Sequence, residues 1–243
     1  MEKFDIYKDI AERTGGDIYI GVVGPVRTGK STFIKRFMDL LVLPNIANTY
    51  TRERAKDELP QSASGRTIMT TEPKFVPNEA VEISLGDNTD FRVRMIDCVG
   101  YLVPEAEGHM DGETPRMVHT PWSEEPMPFL EAAEMGTKKV ITDHSTIGMV
   151  VTTDGSVTEI PRENYEEAEE RVVAELKEMG KPFIILLNTA TPYSDGTQAL
   201  RGELAEKYEV PVMAVNAAQL KAEDIRKILE EMLYQFPIRE LRF

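Results

Sequence analysis

The chain has 243 residues and is 41% hydrophobic, which is long for one average domain and short for two full ones. Its net charge of −14, from 42 acidic and 28 basic residues, opposes broad nucleic-acid binding and attachment to anionic lipid through a basic patch. No run approaches the roughly 18 to 20 apolar residues that span a bilayer, and the charged opening "MEKFDIYKDIAERTGG" does not read as a secretory signal.

Strand and helix signals then alternate along the chain. "DIYIGVVG" reads as a buried strand. "KSTFIKRFMDLLVLP" has helical spacing at Phe33, Phe37, Leu40 and Leu41, and its expected stop is Pro44. Residues 45–72 are polar and predict a mobile loop. "EPKFVPNEAVEISLGDNTDFRVRMIDCVG" predicts two strands around the turn "GDNTD", with Val81, Ile83 and Leu85 alternating with polar residues. Residues 101–145 lack clear periodicity and carry Pro104, Pro115, Pro121, Pro126, Pro128 and the only Trp, Trp122. Long irregular stretches inside a compact domain are commonly functional, and both lie where a nucleotide-dependent switch or insert is expected. Beyond them come a strand in "TIGMVVTTDG", a helix in "PRENYEEAEERVVAELKEMG" and a strand in "KPFIILLNTA". A helix in "TQALRGELAEKY", a strand in "VPVMAVNAAQL" and a helix in "AEDIRKILEEMLYQF" complete the series. This order predicts a single α/β domain over residues 1–243, with a mainly parallel sheet, helices on both faces and one antiparallel edge strand.

Between the first strand and first helix lies "GPVRTGKS", or Gly24-x-x-x-x-Gly29-Lys30-Ser31. This is the phosphate-binding loop pattern. Its glycines let successive amide N–H groups point at one anion, and the following helix presents its positive end. Gly24, Arg27, Thr28, Gly29, Lys30, Ser31 and Thr32 form the expected nucleotide-binding set. Lys30 is expected on the β- and γ-phosphates and Ser31 on Mg²⁺. Asp97, ending the strand "FRVRMID", is the expected second Mg²⁺ residue, and Gly100 completes an Asp-x-x-Gly that senses the terminal phosphate. Together with the hairpin that precedes Asp97, this points to the GTPase superclass of P-loop NTPases. A threonine before the edge strand is expected to close on metal and phosphate. Thr70 and Thr71 are better placed than Thr67, and both are counted among the catalytic and metal residues.

Guanine specificity in that superclass uses Asn-Lys-x-Asp. Here Asn188 is present, but Thr189 and Thr191 replace the Lys and the Asp. The carboxylate that accepts from guanine is missing, so ATP is the expected nucleotide, with Asn188 and Asn216 in the base neighbourhood. Tyr101 and Leu102 follow Gly100, where a water-orienting Gln is absent. Arg27 lies inside the loop and is expected to act as an arginine finger in cis, a role the similar "RTGKS" string has in guanylate-binding proteins. Cys98 is a lone cysteine, which excludes an internal disulfide. His109, His119 and His144 are too scattered to read as a metal cluster.

The opening through "LLVLPNI", the central "MIDCVGY" and the strand "IILLNTATP" resemble the stage IV sporulation protein A family. The resemblance corresponds to the family's N-terminal ATPase domain, in a protein roughly twice this length, so the family's C-terminal domains are expected to be absent. It implies a GTPase-derived fold that hydrolyses ATP. Lys30 falls in the nucleotide loop, Asp97 in the Mg²⁺ site, and Thr70 and Thr71 match the sensor threonines. It further implies self-assembly into a static polymer, the basement layer of the spore coat, at the forespore surface in the mother-cell cytoplasm. Membrane attachment in the family passes through a small anchoring protein and the C-terminal region, and other coat proteins are implied partners. Nucleic acid and direct membrane insertion are not expected. Two alternatives stand beside this reading: a GTPase-type regulator, and a nucleotide-binding structural module without turnover.

Overall fold

The computed structural model describes residues 17–60, 68, 73–85, 89–120 and 123–236. The strand predicted from "DIYIGVV" is β1 (Asp17–Val23), with Ile18, Ile20, Val22 and Val23 buried. It sits at the centre of the main sheet because it pairs in parallel with both β3 (Thr89–Asp97) and β8 (Ile147–Thr153). β9 (Phe183–Asn188) and β10 (Val212–Val215) extend the sheet in parallel beyond β8. On the other edge, β2 (Lys74–Leu85) runs antiparallel to β3, with a register shift between Val76 and Val81. The six strands are ordered β10-β9-β8-β1-β3-β2, five parallel and one antiparallel edge strand. Every residue of β8 and of β9 is buried, as expected of strands covered on both faces.

The helices divide between the faces. On one side, α1 (Lys30–Phe37) contributes Phe33, Ile34 and Phe37, and α6 (Ala222–Tyr234) contributes Ile225, Ile228 and Met232. These pack on Ile18, Ile20 and Val22. On the other side, α4 (Glu166–Glu178) buries Val172, Val173 and Leu176, and α5 (Asp195–Tyr208) buries Leu204 and Tyr208. They pack with Val150, Ile185 and Leu187. The result is three layers with the sheet in the middle. Each strand of period 2 feeds both cores, and each helix buries one stripe.

Several boundaries differ from the sequence expectation. The first helix does not stop at Pro44. It passes through a π-helical stretch, Met38–Val42, into a short turn at Leu43–Asn45, where Pro44 occupies the first turn and needs no N–H partner. The polar stretch 45–72, expected as a mobile loop, contains α2 (Thr49–Asp57), capped by Asn48, whose side chain accepts from Thr51 N at 3.0 Å. Only Ala55 of that helix is buried, so it lacks the apolar period that announces a helix.

The stretch 101–145 also contains regular structure. Two small hairpins join β4 (Met110–Asp111) to β5 (Thr114–Pro115) and β6 (Met117–Thr120) to β7 (Ser123–Pro128). They lead into α3 (Phe129–Lys139), which buries Phe129, Ala132, Ala133 and Gly136. Of the prolines that suggested irregularity, Pro115 and Pro128 stand at strand ends, Pro126 lies within β7, and Pro128 occupies the N-cap position of α3. Among the described residues, no helix is long and apolar enough to cross a membrane.

Candidate nucleotide site

The loop after β1 turns through residues whose backbones explain their identities. Gly24 has φ 131°, and a Cβ there would come within 2.3 Å of the Val151 carbonyl oxygen. Gly29 has φ 93° and stands at the N-terminus of α1, so that helix begins at Lys30. Arg27 also adopts a positive φ, 63°, which is uncommon for a residue with a side chain and marks local strain. Thr28 is fully buried, and its hydroxyl donates to Pro25 O at 3.0 Å.

Lys30 is buried, and its ammonium donates to Pro25 O at 2.6 Å and Gly24 O at 3.3 Å. It is thus folded back onto its own loop, with no carboxylate within ion-pair distance among the described residues. Burial pushes its pKa down, opposed by Cys98 and Asp97. The Ser31 hydroxyl donates to Asp97 Oδ2 at 2.6 Å, bringing together residues 66 positions apart. Asp97 is almost fully buried, which raises its pKa, while the Ser31 bond and the Lys30 and Lys74 charges oppose that shift. Its other oxygen, Oδ1, is buried and has no hydrogen-bond partner among the described residues.

A buried carboxylate oxygen without a donor is a costly arrangement unless something else binds it. Together with the Ser31 hydroxyl, it forms a hard oxygen donor pair of the kind that suits Mg²⁺, which retains waters and takes few protein ligands. No cluster of three His, Cys, Asp or Glu occurs among the described residues. The residues present fit the metal.

Asp97 is followed by a segment that is pinned down. Gly100, at φ 94°, lies so close that a Cβ would meet Gly24 O at 2.3 Å and the Lys30 ammonium at 2.6 Å. Tyr101 O then accepts from Val26 N at 2.8 Å, and Pro25 and Tyr101 form a parallel bridge. The Tyr101 hydroxyl donates to Glu175 on α4, and Arg171 lies 4.5 Å from the ring centroid. Arg171 also grips Glu134 of α3 with two bonds of 2.7 and 2.8 Å. The sequence marked Tyr101 only as the place of a missing Gln. Its role as the link between phosphate loop, α4 and α3 carries no spacing signal.

At the other end of the loop stands Asn188, the last residue of β9. Its amide Nδ2 donates to Thr28 O at 2.9 Å, and its Oδ1 accepts from Ala217 N at 3.0 Å. Gly29 faces it so closely that a Cβ there would sit 2.3 Å from Nδ2. Asn188 therefore staples the phosphate loop to the turn after β10. Asn216 caps that turn, its side chain accepting from Ala218 N at 3.2 Å.

Thr189, in the position of the missing Lys, is fully buried and donates to Asp154 Oδ2 at 2.6 Å. Asp154 Oδ1 in turn accepts from the Ser156 backbone N at 3.0 Å and its hydroxyl at 2.5 Å. Beneath this rim lies a buried ion pair the sequence did not announce. Arg162 makes two bonds, 2.7 and 2.8 Å, to Glu169, which is fully buried. Tyr208 donates to Glu169 Oε1 at 2.8 Å, and Thr152 to Oε2. A sequence signal did exist, since Glu169 falls on the apolar stripe of α4, one residue along from Ala168.

The structure thus brings Gly24, Thr28, Gly29, Lys30, Ser31, Asp97, Gly100 and Asn188 to the loop and its immediate neighbours. Arg27 lies in that loop, partly buried, with Tyr165 as an electrostatic neighbour, and Thr32 lies in the first turn of α1. Asn216 reaches the site through Ala217, which Asn188 holds. Thr67, Thr70 and Thr71 lie outside the described residues.

Residues 1–237 match the family described as "Stage IV sporulation protein A, ATPase domain". The chain is 61% identical over 241 residues to stage IV sporulation protein A of Bacillus subtilis (strain 168), covering 99% of this chain and 49% of that protein. It is 62% identical over 241 residues to the protein of that name from Bacillus anthracis, again covering 99% and 49%. Against the Clostridioides difficile (strain 630) protein of that name it is 60% identical over 238 residues, covering 98% and 48%. The chain spans about half the length of the curated relatives it matches. With its phosphate-loop geometry and a match over nearly its whole length, the chain belongs to the stage IV sporulation protein A ATPase-domain family.

Proposed function

We propose that this domain is a P-loop ATPase of GTPase-superclass type that hydrolyses Mg·ATP. The observation that carries this reading is the Ser31–Asp97 pair beside the Lys30 loop, with Asp97 Oδ1 buried and unpartnered. Ser31 and Asp97 would hold Mg²⁺, with Thr70 or Thr71 completing its protein contacts. When bound, the ion neutralises charge on the phosphates and holds them in line.

The chain's own groups supply the rest. The loop N–H groups and the N-terminus of α1 bind phosphate oxygens. Lys30 exchanges the carbonyls of Gly24 and Pro25 for those oxygens. Its present hydrogen bonds go to neutral carbonyl oxygens, so a charged phosphate is the better partner. Gly100 approaches Lys30 and the loop without a side chain, which allows its amide to face the terminal phosphate. Arg27, held in the loop at positive φ, supplies a second positive charge for the departing phosphoryl group in cis. ATP is preferred to GTP because Thr191 stands where guanine needs a carboxylate.

Family membership extends this to biology as a proposal about the longer protein. Hydrolysis drives its self-assembly into a static layer on the forespore surface, in the mother-cell cytoplasm. A small anchoring protein and other coat proteins bind through regions beyond this domain. Phosphate release from Mg·ATP by wild type and by Asp97→Asn tests the chemistry. The expected result is a loss of about 100-fold or more in the variant with its fold intact. Equal turnover by the two proteins would refute the assignment of Asp97. Sedimentation of the full-length protein with ATP or with a non-hydrolysable analogue tests the assembly step. Pelleting is expected with ATP only, and pelleting with both contradicts a hydrolysis-driven step.

A further inference from the structure

Tyr101 stands directly after Gly100, where a water-orienting Gln is absent, and is only 2% exposed. Its ring packs in the core cluster that also holds Val103, Phe129, Ala132 and Leu176. Its hydroxyl donates to Glu175 Oε2 on α4. Burial, reinforced by that bond, raises the phenol's pKa, so it stays a donor through the neutral range. The other Glu175 oxygen lies 3.5 Å from Arg171 Nε, and the Arg171 guanidinium stands 4.5 Å from the Tyr101 ring centroid. Arg171 is fixed in turn by its two bonds to Glu134 of α3. The main chain of Tyr101 joins the phosphate loop. Its carbonyl accepts from Val26 N at 2.8 Å, and it bridges Pro25, whose own carbonyl accepts from Lys30 at 2.6 Å and from Thr28 at 3.0 Å. Gly100, one residue earlier, stands against Gly24 O and the Lys30 ammonium.

We propose that Tyr101 is a positioning residue for phosphoryl transfer: through its bond to Glu175 it holds Gly100 and the Pro25–Val26 backbone in register for the reaction. This deepens the ATPase reading and rests on it. Hydrophobic contact confines the ring but has no direction of its own. The bond from hydroxyl to carboxylate and the guanidinium over the ring give it one orientation, which the peptide between Gly100 and Tyr101 inherits. Groups aimed at reacting atoms keep their geometry only when a second set of contacts locks them. A displacement of about 1 Å at such a site costs on the order of 100-fold in rate. The hydroxyl is committed to α4 and does not orient an attacking water, so Tyr101 takes the place of the Gln without its role. Because that hydroxyl bonds to Glu175 and not to the phosphate loop, its loss falls on the rate of the step and not on nucleotide affinity.

The test is steady-state hydrolysis of Mg·ATP by the full chain, with the melting temperature of each variant measured beside it. Tyr101→Phe keeps the ring and removes only the hydroxyl. Its kcat is expected to fall roughly tenfold, with KM for ATP within about twofold of wild type. Glu175→Gln still accepts from the hydroxyl and is expected to keep most of the rate, whereas Glu175→Ala falls with Tyr101→Phe. The double variant Tyr101→Phe with Glu175→Ala is expected to be no slower than the slower single one, since both remove the same bond. Tyr101→Phe with a wild-type kcat, or with only KM changed, overturns the inference and leaves the ATPase reading intact. A rate loss that disappears when the assay is run further below the melting temperature also overturns it, because the role is then only structural. Tyr101→Gln is expected to be slower than wild type; a faster enzyme would mean that this position acts on the water, and the inference fails. Wild type no faster than Lys30→Ala is instead a failure of the ATPase reading, and the inference falls with it.

Discussion

The two ends of the nucleotide site are built on opposite principles. At the phosphate end polar atoms lack a partner among the described residues: Asp97 Oδ1 has none there, and Lys30 rests on the carbonyls of its own loop. At the turns after β9 and β10, where the base is proposed to sit, five main-chain donors are already satisfied by Ser156, Thr189, Val215, Asn188 and Asn216. Unsatisfied buried groups cost stability and are kept where a ligand repays them. Satisfied ones make a rigid surface. A phosphate tail is common to every nucleoside triphosphate, so under the proposed function the reactive end can be generic and the choice of base falls to the other end.

The largest effect should come from breaking the phosphate end. Lys30→Ala removes the ammonium without breaking any side-chain pair, since its bonds go only to carbonyl oxygens. Turnover is expected to fall by about 1,000-fold with an unchanged circular dichroism spectrum, because one aimed donor to developing charge has that weight. Beneath the base end, Glu169→Ala leaves Arg162 without its carboxylate and Tyr208 without its acceptor. Urea unfolding is expected to show a loss of about 3–5 kcal/mol, the range for breaking a buried pair by removing one partner. Glu169→Gln, which still accepts from Tyr208 and Arg162, should lose clearly less.

Smaller effects sharpen the contrast. Gly100→Ala puts a methyl group against Gly24 O and the Lys30 ammonium at a backbone φ of 94°. It is expected to cost about 1–3 kcal/mol of strain and to lower kcat more than ATP affinity, which single-turnover kinetics would separate. Thr191→Asp returns a carboxylate to the position that lacks one and should improve kcat/KM for GTP by roughly tenfold. GTP is still expected to remain below ATP, because Thr189 also stands where the guanine motif has its Lys. If Thr191→Asp made GTP the preferred substrate, the missing carboxylate alone would account for base choice.

Much of this was legible in the sequence, for physical reasons. β1, β8 and β9 announce themselves because a strand covered on both faces must be apolar throughout. The phosphate loop is legible because its backbone path requires Gly24 and Gly29, and the chemistry requires Lys30 and Ser31. That Asp97 meets Ser31 was legible because Asp97 ends a strand beside the loop, where the proposed metal would need a carboxylate. What the sequence hid is either local or long-range. Helix α2 buries only Ala55, so its cap at Asn48 is its main signal. Helix α3 has the period of Phe129, Ala132, Ala133 and Gly136, but the prolines before it draw attention away. The Tyr101–Glu175, Arg162–Glu169 and Thr189–Asp154 contacts join different elements, and no spacing rule records which polar residues the sheet brings together.

The most direct test of the account is hydrolysis of ATP and GTP measured in parallel on the purified domain with Mg²⁺, with Lys30→Ala as the blank. The account predicts ATP turnover that is lost in the blank, and a clearly lower kcat/KM for GTP. A preference for GTP, or nucleotide binding with no turnover above the blank, would contradict it.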